Sequence, residues 1–160
     1  MPDETRTELQ DMTDADLVRL CRQGRHEAFD VIALRYLGVM HAVALARLAD
    51  RDAAEDLVQE VLLRVFLHLD RLKKPDSLGP WITQITRNMA RNWLRDGRTR
   101  SEALQLVPLD DVESQLADDR QKGAPKTMQE DETQTAIEKA IMALKPDDRE
   151  LVLLYYAEEM

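Results

Sequence analysis

Cysteine occurs once, at Cys21, so no disulfide framework can hold this chain, and a reducing cytosol suits it. A lone Cys among apolar helical residues is read as packing. Glycine and aromatic residues are scarce, five and seven in 160, which suits a helical soluble protein. No uninterrupted apolar run approaches the ~18 residues that a bilayer span needs. The opening MPDETRTELQD lacks the features of a signal peptide, and membrane insertion is not expected. His26, His41 and His68 are scattered, without HxxxH or HxxE spacing, and there is no glycine-rich phosphate loop. The chain is expected to be neither an enzyme nor a holder of metal or cofactor.

What is present is charge, and it is segregated. The length allows one ordinary core, or two small units joined by a linker. The net charge of −9 would by itself argue against nucleic acid. Residues 71–100, however, hold Arg71, Lys73, Lys74, Arg87, Arg91, Arg95, Arg98 and Arg100 against only Asp76 and Asp96. The local field governs binding, and over this stretch it is strongly positive.

Within that stretch, PWITQITRNMARNWLR (80–95) organises the rest. At about 100° per residue, Ile82, Ile85, Met89 and Trp93 share one face, the spacing of a buried stripe. Gln84, Arg87, Asn88, Arg91 and Arg95 fall on the other, which carries no acid. Surface helices usually pair Glu with Lys or Arg at i,i+4. Cations left unpaired in an acidic chain ask for an anionic partner, against the alternative of a solvated surface helix.

Taken in order, residues 1–12 read as polar and loose. Thr13 with Asp16 forms an acidic variant of the capping box, opening a helix that stops at Gly24. A second helix runs from Arg25 to about Ala49; Gly38 inside it suggests a close helix crossing. Asp52 is read as the N-cap of a third, about 53–70, with Glu55 three residues on. Leu57, Val58, Val61, Leu62, Val65, Phe66 and Leu69 form its core stripe. Asp56, Gln59, Glu60, Leu63 and Leu67 share the opposite side, where two leucines among polar groups look like a docking surface for another helix. The alternative is packing beneath the chain's own C-terminal part. LKKPDSLG (72–79) is a loop, and Pro80 suits the first turn of the organising helix, which ends near Gly97. Residues 101–130 are acidic and weakly periodic, the pattern of a linker. Two short helices follow, separated at Pro146. Their apolar faces either await a further segment or pack onto the first unit.

AEDLVQEVLLRVFLHLDRL (54–72) followed by LGPWITQITRNMARNWLRD (78–96) closely resembles the helical domain of bacterial sigma factors, of the extracytoplasmic-function group in the sigma-70 family. DADLVRLCRQGRHEAFDVIALRY (14–36) is similar to that family's opening helices, and IEKAIMALKPDDRELVLLYYAEEM (137–160) to the start of its second domain. The implied fold class is all-α: sigma domain 2 over 13–100, an acidic linker over 101–130, and the N-terminal part of sigma domain 4 over 131–160, lacking its helix-turn-helix.

The resemblance implies a cytoplasmic promoter-specificity subunit that binds core RNA polymerase and recognises and melts the minus-ten element. By that likeness Asp56, Gln59, Glu60, Leu63, Arg64 and Leu67 contact the clamp helices of the largest polymerase subunit. Lys73, Lys74, Asp76 and Ser77 form the pocket and rim for a base extruded from promoter DNA. Gln84, Arg87, Asn88, Arg91 and Arg95 read the strand, Arg98 and Arg100 hold phosphates, and Trp81 either stacks on a base or anchors its helix. The loop LKKPDSLGP departs from the longer, aromatic-containing loop of many relatives. An anti-sigma factor is an expected further partner. The competing reading is a sigma-like decoy that binds an anti-sigma protein without productive DNA binding.

Overall fold

The computed structural model describes residues 7–96 and 132–159, and every element among them is helical. A helical turn over 7–10 (α1) precedes α2 (Asp14–Arg22), α3 (His26–Leu48) and α4 (Arg51–His68). Two short 3-10 turns, Leu69–Arg71 and Pro75–Ser77, lead into α5 (Leu78–Arg95). After the linker region come α6 (Glu132–Ala143) and α7 (Pro146–Glu159). The proposed linker, with Arg98 and Arg100, lies outside the described residues.

Local chemistry sets most of the boundaries. The Asp16 N–H donates to Thr13 Oγ1 at 3.2 Å, and the Thr13 hydroxyl donates to Asp16 Oδ2 at 2.8 Å, which starts α2 as expected. Gly24 has φ +87°, a left-handed turn that glycine adopts without strain, and it turns the chain into α3. The start of α4 corrects the sequence reading. Asp50, not Asp52, is the N-cap, accepting from the Ala53 N–H at 3.1 Å. Its backbone is extended (φ −145°, ψ 120°), whereas Asp52 already lies inside the helix. Residues 7–12 are also less loose than expected. Leu9 is buried, and Arg35 of α3 donates to the carbonyls of Gln10 and Met12 at 2.8 and 2.9 Å.

Helices α2 to α5 form one bundle around α3, which packs against α2, α4 and α5. Its core holds Leu17, Ile32, Met40, Leu57, Val61, Leu78, Ile82, Ile85 and Met89, all fully or almost fully buried. Each such side chain contributes on the order of 1.5–3 kcal/mol relative to exposure. Arg35 and His41 interrupt the apolar runs of α3, yet the helix as a whole is long and apolar enough to cross a membrane. Here it serves as the central core helix, packed on four neighbours.

The fourth neighbour is α7, which lies along α3. Of the two outcomes open for the C-terminal helices, packing on the first unit is the one observed. Gly38 stands at that crossing: a Cβ there would sit 3.7 Å from Ala157 Cβ, ordinary contact distance.

Candidate functional site

Two surfaces on consecutive helices carry the residues singled out by sequence. On α4, Leu63 (48% exposed) and Leu67 (58%) face outward, with Asp56 and Gln59 exposed on the same arc. Phe66 joins them at 43%, its ring edge-on to Phe29 of α3 at 5.0 Å. It was assigned to the core, but its helical angle lies between the exposed Glu55 and Gln59, which is the signal that would have found it.

Glu60 and Arg64 move the other way. Both are buried at 6% exposure, so neither belongs to the outward face that carries Leu63 and Leu67, where Glu60 was expected. The reason is geometric. α4 packs on both α3 and α5, so its buried arc is wider than its apolar stripe and takes in Glu60, Arg64 and part of His68. Burial, with Arg71 nearby, lowers the pKa of the Arg64 guanidinium.

On α5 the cationic face is narrower than expected and partly satisfied. Gln84 and Asn88 are buried, and the Gln84 amide donates to Asn88 Oδ1 at 3.1 Å. Trp81 is 5% exposed and takes the anchoring role, so it presents no open ring for stacking. The expectation that Gln84 and Asn88 lie on an open reading face is therefore corrected, and of the two readings open for Trp81 the structure shows burial. The amides continue the buried arc on the flank of the apolar stripe, where their mutual hydrogen bond offsets desolvation.

Nor are all the arginines unpaired. Arg87 Nε donates to Glu150 Oε1 of α7 at 2.6 Å. Arg95 pairs with its neighbour Asp96, Nε to Oδ1 at 3.0 Å, an exposed contact of small consequence for stability. That hydrogen bond holds the Asp96 carboxyl below its ordinary pKa. Arg91 is exposed and has no ion pair among the described residues.

The segment between α4 and α5 completes the site. Lys73, Lys74 and Asp76 are exposed and Ser77 is half-buried. What was read as a loop over 72–79 holds one tight 3-10 turn, Pro75–Ser77, and the first residues of α5, and α2 supports the segment from below. Arg22 Nη2 donates to the carbonyls of Leu69, at 3.2 Å, and Leu72. At the start of α5, Gly79 lies against the ring of Tyr36, where a Cβ would come within 3.2 Å of the ring and hydroxyl. The Tyr36 hydroxyl donates to Asp14, whose other oxygen accepts from Arg35 Nη1 at 2.6 Å. Burial and the Asp14 carboxylate push the Tyr36 pKa well above its ordinary value. Sequence reasoning gave neither Arg22 nor Tyr36 a role. Among the described residues, no group of three or more His, Cys, Asp or Glu could hold a metal ion.

Comparison with known proteins agrees with this geometry. The family model described as Sigma-70 region 2 matches residues 32–100, from α3 through the cationic stretch. A probable RNA polymerase sigma factor RfaY of Xanthomonas campestris pv. campestris is 38% identical over 135 residues, covering 84% of this chain and 33% of the relative. The ECF RNA polymerase sigma-E factor of Escherichia coli K12 is 25% identical over 147 residues, 89% of this chain and 75% of its own. The sigma-E factor of Haemophilus influenzae is 29% identical over 83 residues, 52% of this chain and 43% of its own. The chain thus spans about a third of the first of these relatives and three quarters of the second. No solved structure matches it significantly.

Proposed function

Because the chain belongs to the sigma-70 family, as one of its extracytoplasmic-function members, we propose that it directs core RNA polymerase to promoters through two surfaces. The α4 face of Asp56, Gln59, Leu63, Phe66 and Leu67 docks on a helical element of polymerase. The segment Lys73–Ser77 with Arg91 and Arg95 takes the minus-ten strand as it opens. The domain roles follow: 13–100 binds polymerase and the minus-ten element, 101–130 links, and 131–160 begins a second promoter-binding unit.

One observation carries this reading: an exposed apolar face on α4 stands beside an exposed cationic edge on the next two elements. The first surface fits a partner helix and the second a phosphate backbone. Because Gln84 and Asn88 are turned inward, base discrimination falls to the segment before α5, where Ser77 and Asp76 supply polar groups. Phosphate contacts from Lys74, Arg91 and Arg95 fix the register without reading sequence. Opening the duplex then draws on binding energy; stacking or trapping an unstacked base returns about 1–3 kcal/mol.

The decoy reading gains from the pairing of Arg87 and Arg95, since a module that never meets DNA can have satisfied cations. Strand binding separates the two. The test is in-vitro transcription with core polymerase, together with minus-ten single-strand binding across salt. Arg91→Ala should weaken binding and reduce the slope of log K against log salt by about 0.7. An unchanged slope, with no promoter-specific initiation, would leave the decoy standing.

A further inference from the structure

The segment that would hold the extruded base is slung between two buried leucines, Leu72 and Leu78, with Lys73, Lys74 and Asp76 exposed between them. Inside it the Ser77 N–H donates to the Lys74 carbonyl at 2.9 Å, which closes one turn. A span this short takes its position from its two ends. The Leu72 end hangs on Arg22. The other end is the first turn of α5, where the Gly79 carbonyl accepts from the Thr83 hydroxyl at 2.9 Å. The side of Gly79 that would carry a Cβ is turned onto the Tyr36 ring.

Tyr36 is itself anchored. Its hydroxyl donates to one oxygen of Asp14, while the other oxygen accepts from Arg35 Nη1 at 2.6 Å. Arg35 also donates to the carbonyls of Gln10 and Met12, so the chain entering α2 is tied to the same guanidinium. The ring thus stands between a carboxylate that fixes its tip and a glycine that lets α5 come against it.

Resting on the DNA-binding reading above, we propose that Tyr36 and Asp14 are positioning residues for base recognition: the anchored ring is the stop that sets the start of α5, and through it the place of Asp76 and Ser77 against the extruded base. Both act without touching nucleic acid.

The chemistry and the location favour positioning over plain packing. A well-packed apolar side chain would serve stability as well as this partly buried network, which adds direction instead. Glycine permits the closest backbone approach, and Gly79 stands two positions from Ser77. The contact lies at the entrance of α5, so a small shift there moves the pocket while the buried Ile82, Ile85 and Met89 stay seated. Hydrogen bonds to a base edge weaken over such shifts, whereas phosphate contacts through long Lys and Arg side chains follow them. Disturbing Tyr36 should therefore separate specificity from affinity.

The probe is a fluorescent single strand carrying the minus-ten sequence mapped by in-vitro transcription, titrated into the full chain in versions that differ by one base. Tyr36→Phe leaves the ring unanchored, and Asp14→Ala removes its acceptor. Each should lose discrimination at one base position by about three- to tenfold, the effect of one mispositioned hydrogen bond, with the salt slope unchanged. Asp14→Asn keeps an oxygen for the Tyr36 hydroxyl and should recover most of that discrimination. Gly79→Ala presses on the same contact from the other side and should lose a similar factor. Combined with Tyr36→Phe it should lose little more, because both changes disturb one contact. Parent-like discrimination in both Tyr36→Phe and Gly79→Ala, with the Arg91-dependent salt slope intact, would overturn the positioning role while sparing the DNA reading. Affinity falling equally for every base would overturn it too, as the mark of a contact that only holds the fold. Absence of strand binding by the parent itself would overturn both.

Discussion

The α2–α5 bundle and the α6–α7 pair are both helical and meet where α7 lies along α3, but they are held by opposite means. The bundle is fastened by side chains with nothing polar to offer: Leu17, Leu57, Ile85 and Met89 are fully or almost fully buried. The C-terminal pair is fastened by Arg149 and Glu150, with aliphatic residues only half-covered around them. Apolar burial is non-directional and survives small shifts, whereas charge-assisted hydrogen bonds are satisfied only in a narrow geometry. One region is held by tolerant burial and the other by a few directional pairs.

Breaking the bundle should have the largest effect. Ile85→Ala removes a buried side chain from the centre of α5 and should cost about 2–5 kcal/mol in urea denaturation. Arg149→Ala should cost less and only locally, about 1–3 kcal/mol, by stripping donors from three or more carbonyls. Hydrogen exchange should show faster amides in α6 and α7 and unchanged ones in α4 and α5. Equal loss of protection across both regions would erase the distinction drawn between them.

A smaller effect comes from acid. Burial first, then Arg64 and Arg71, hold the His68 pKa below its ordinary value, and its Nδ1 has no hydrogen-bond partner among the described residues. The unfolded chain would protonate His68 near pH 6.5 while the folded bundle resists. Stability is therefore full above that pH and falls as pH drops from about 7 toward the lowered folded pKa. His68→Gln should flatten that part of the stability–pH curve, and an unchanged curve would remove His68 as its source. Smallest on stability is Leu63→Glu, expected within about 0.5 kcal/mol because the side chain is exposed. The same change should abolish co-purification with polymerase, and normal co-purification would remove α4 as the docking face.

Much of this was legible in the residues. The all-α class, the Thr13 cap, the stop at Gly24 and the outward leucines of α4 all follow from local chemistry and helical period. What periodicity could not give was the width of each buried arc. Glu60, Arg64, Gln84 and Asn88 have polar identities that place them outside, yet α4 and α5 each pack on two neighbours and their buried arcs reach past the apolar stripe. Nor could it give the pairing of Arg87 with Glu150, sixty-three residues apart, since a charge pattern along one helix says nothing of what another helix brings. Arg47, in the last turn of a largely apolar helix, was a hint that an anion waits there.

The grip of Arg22 on Leu69 and Leu72 has a consequence for how this family should be compared. The turn that presents Lys73 and Lys74 takes its shape from a guanidinium almost fifty positions upstream. Two relatives with the same letters between the last helices could display those lysines differently if position 22 differs. Aligning the short turn by itself would then miss half of what aims it.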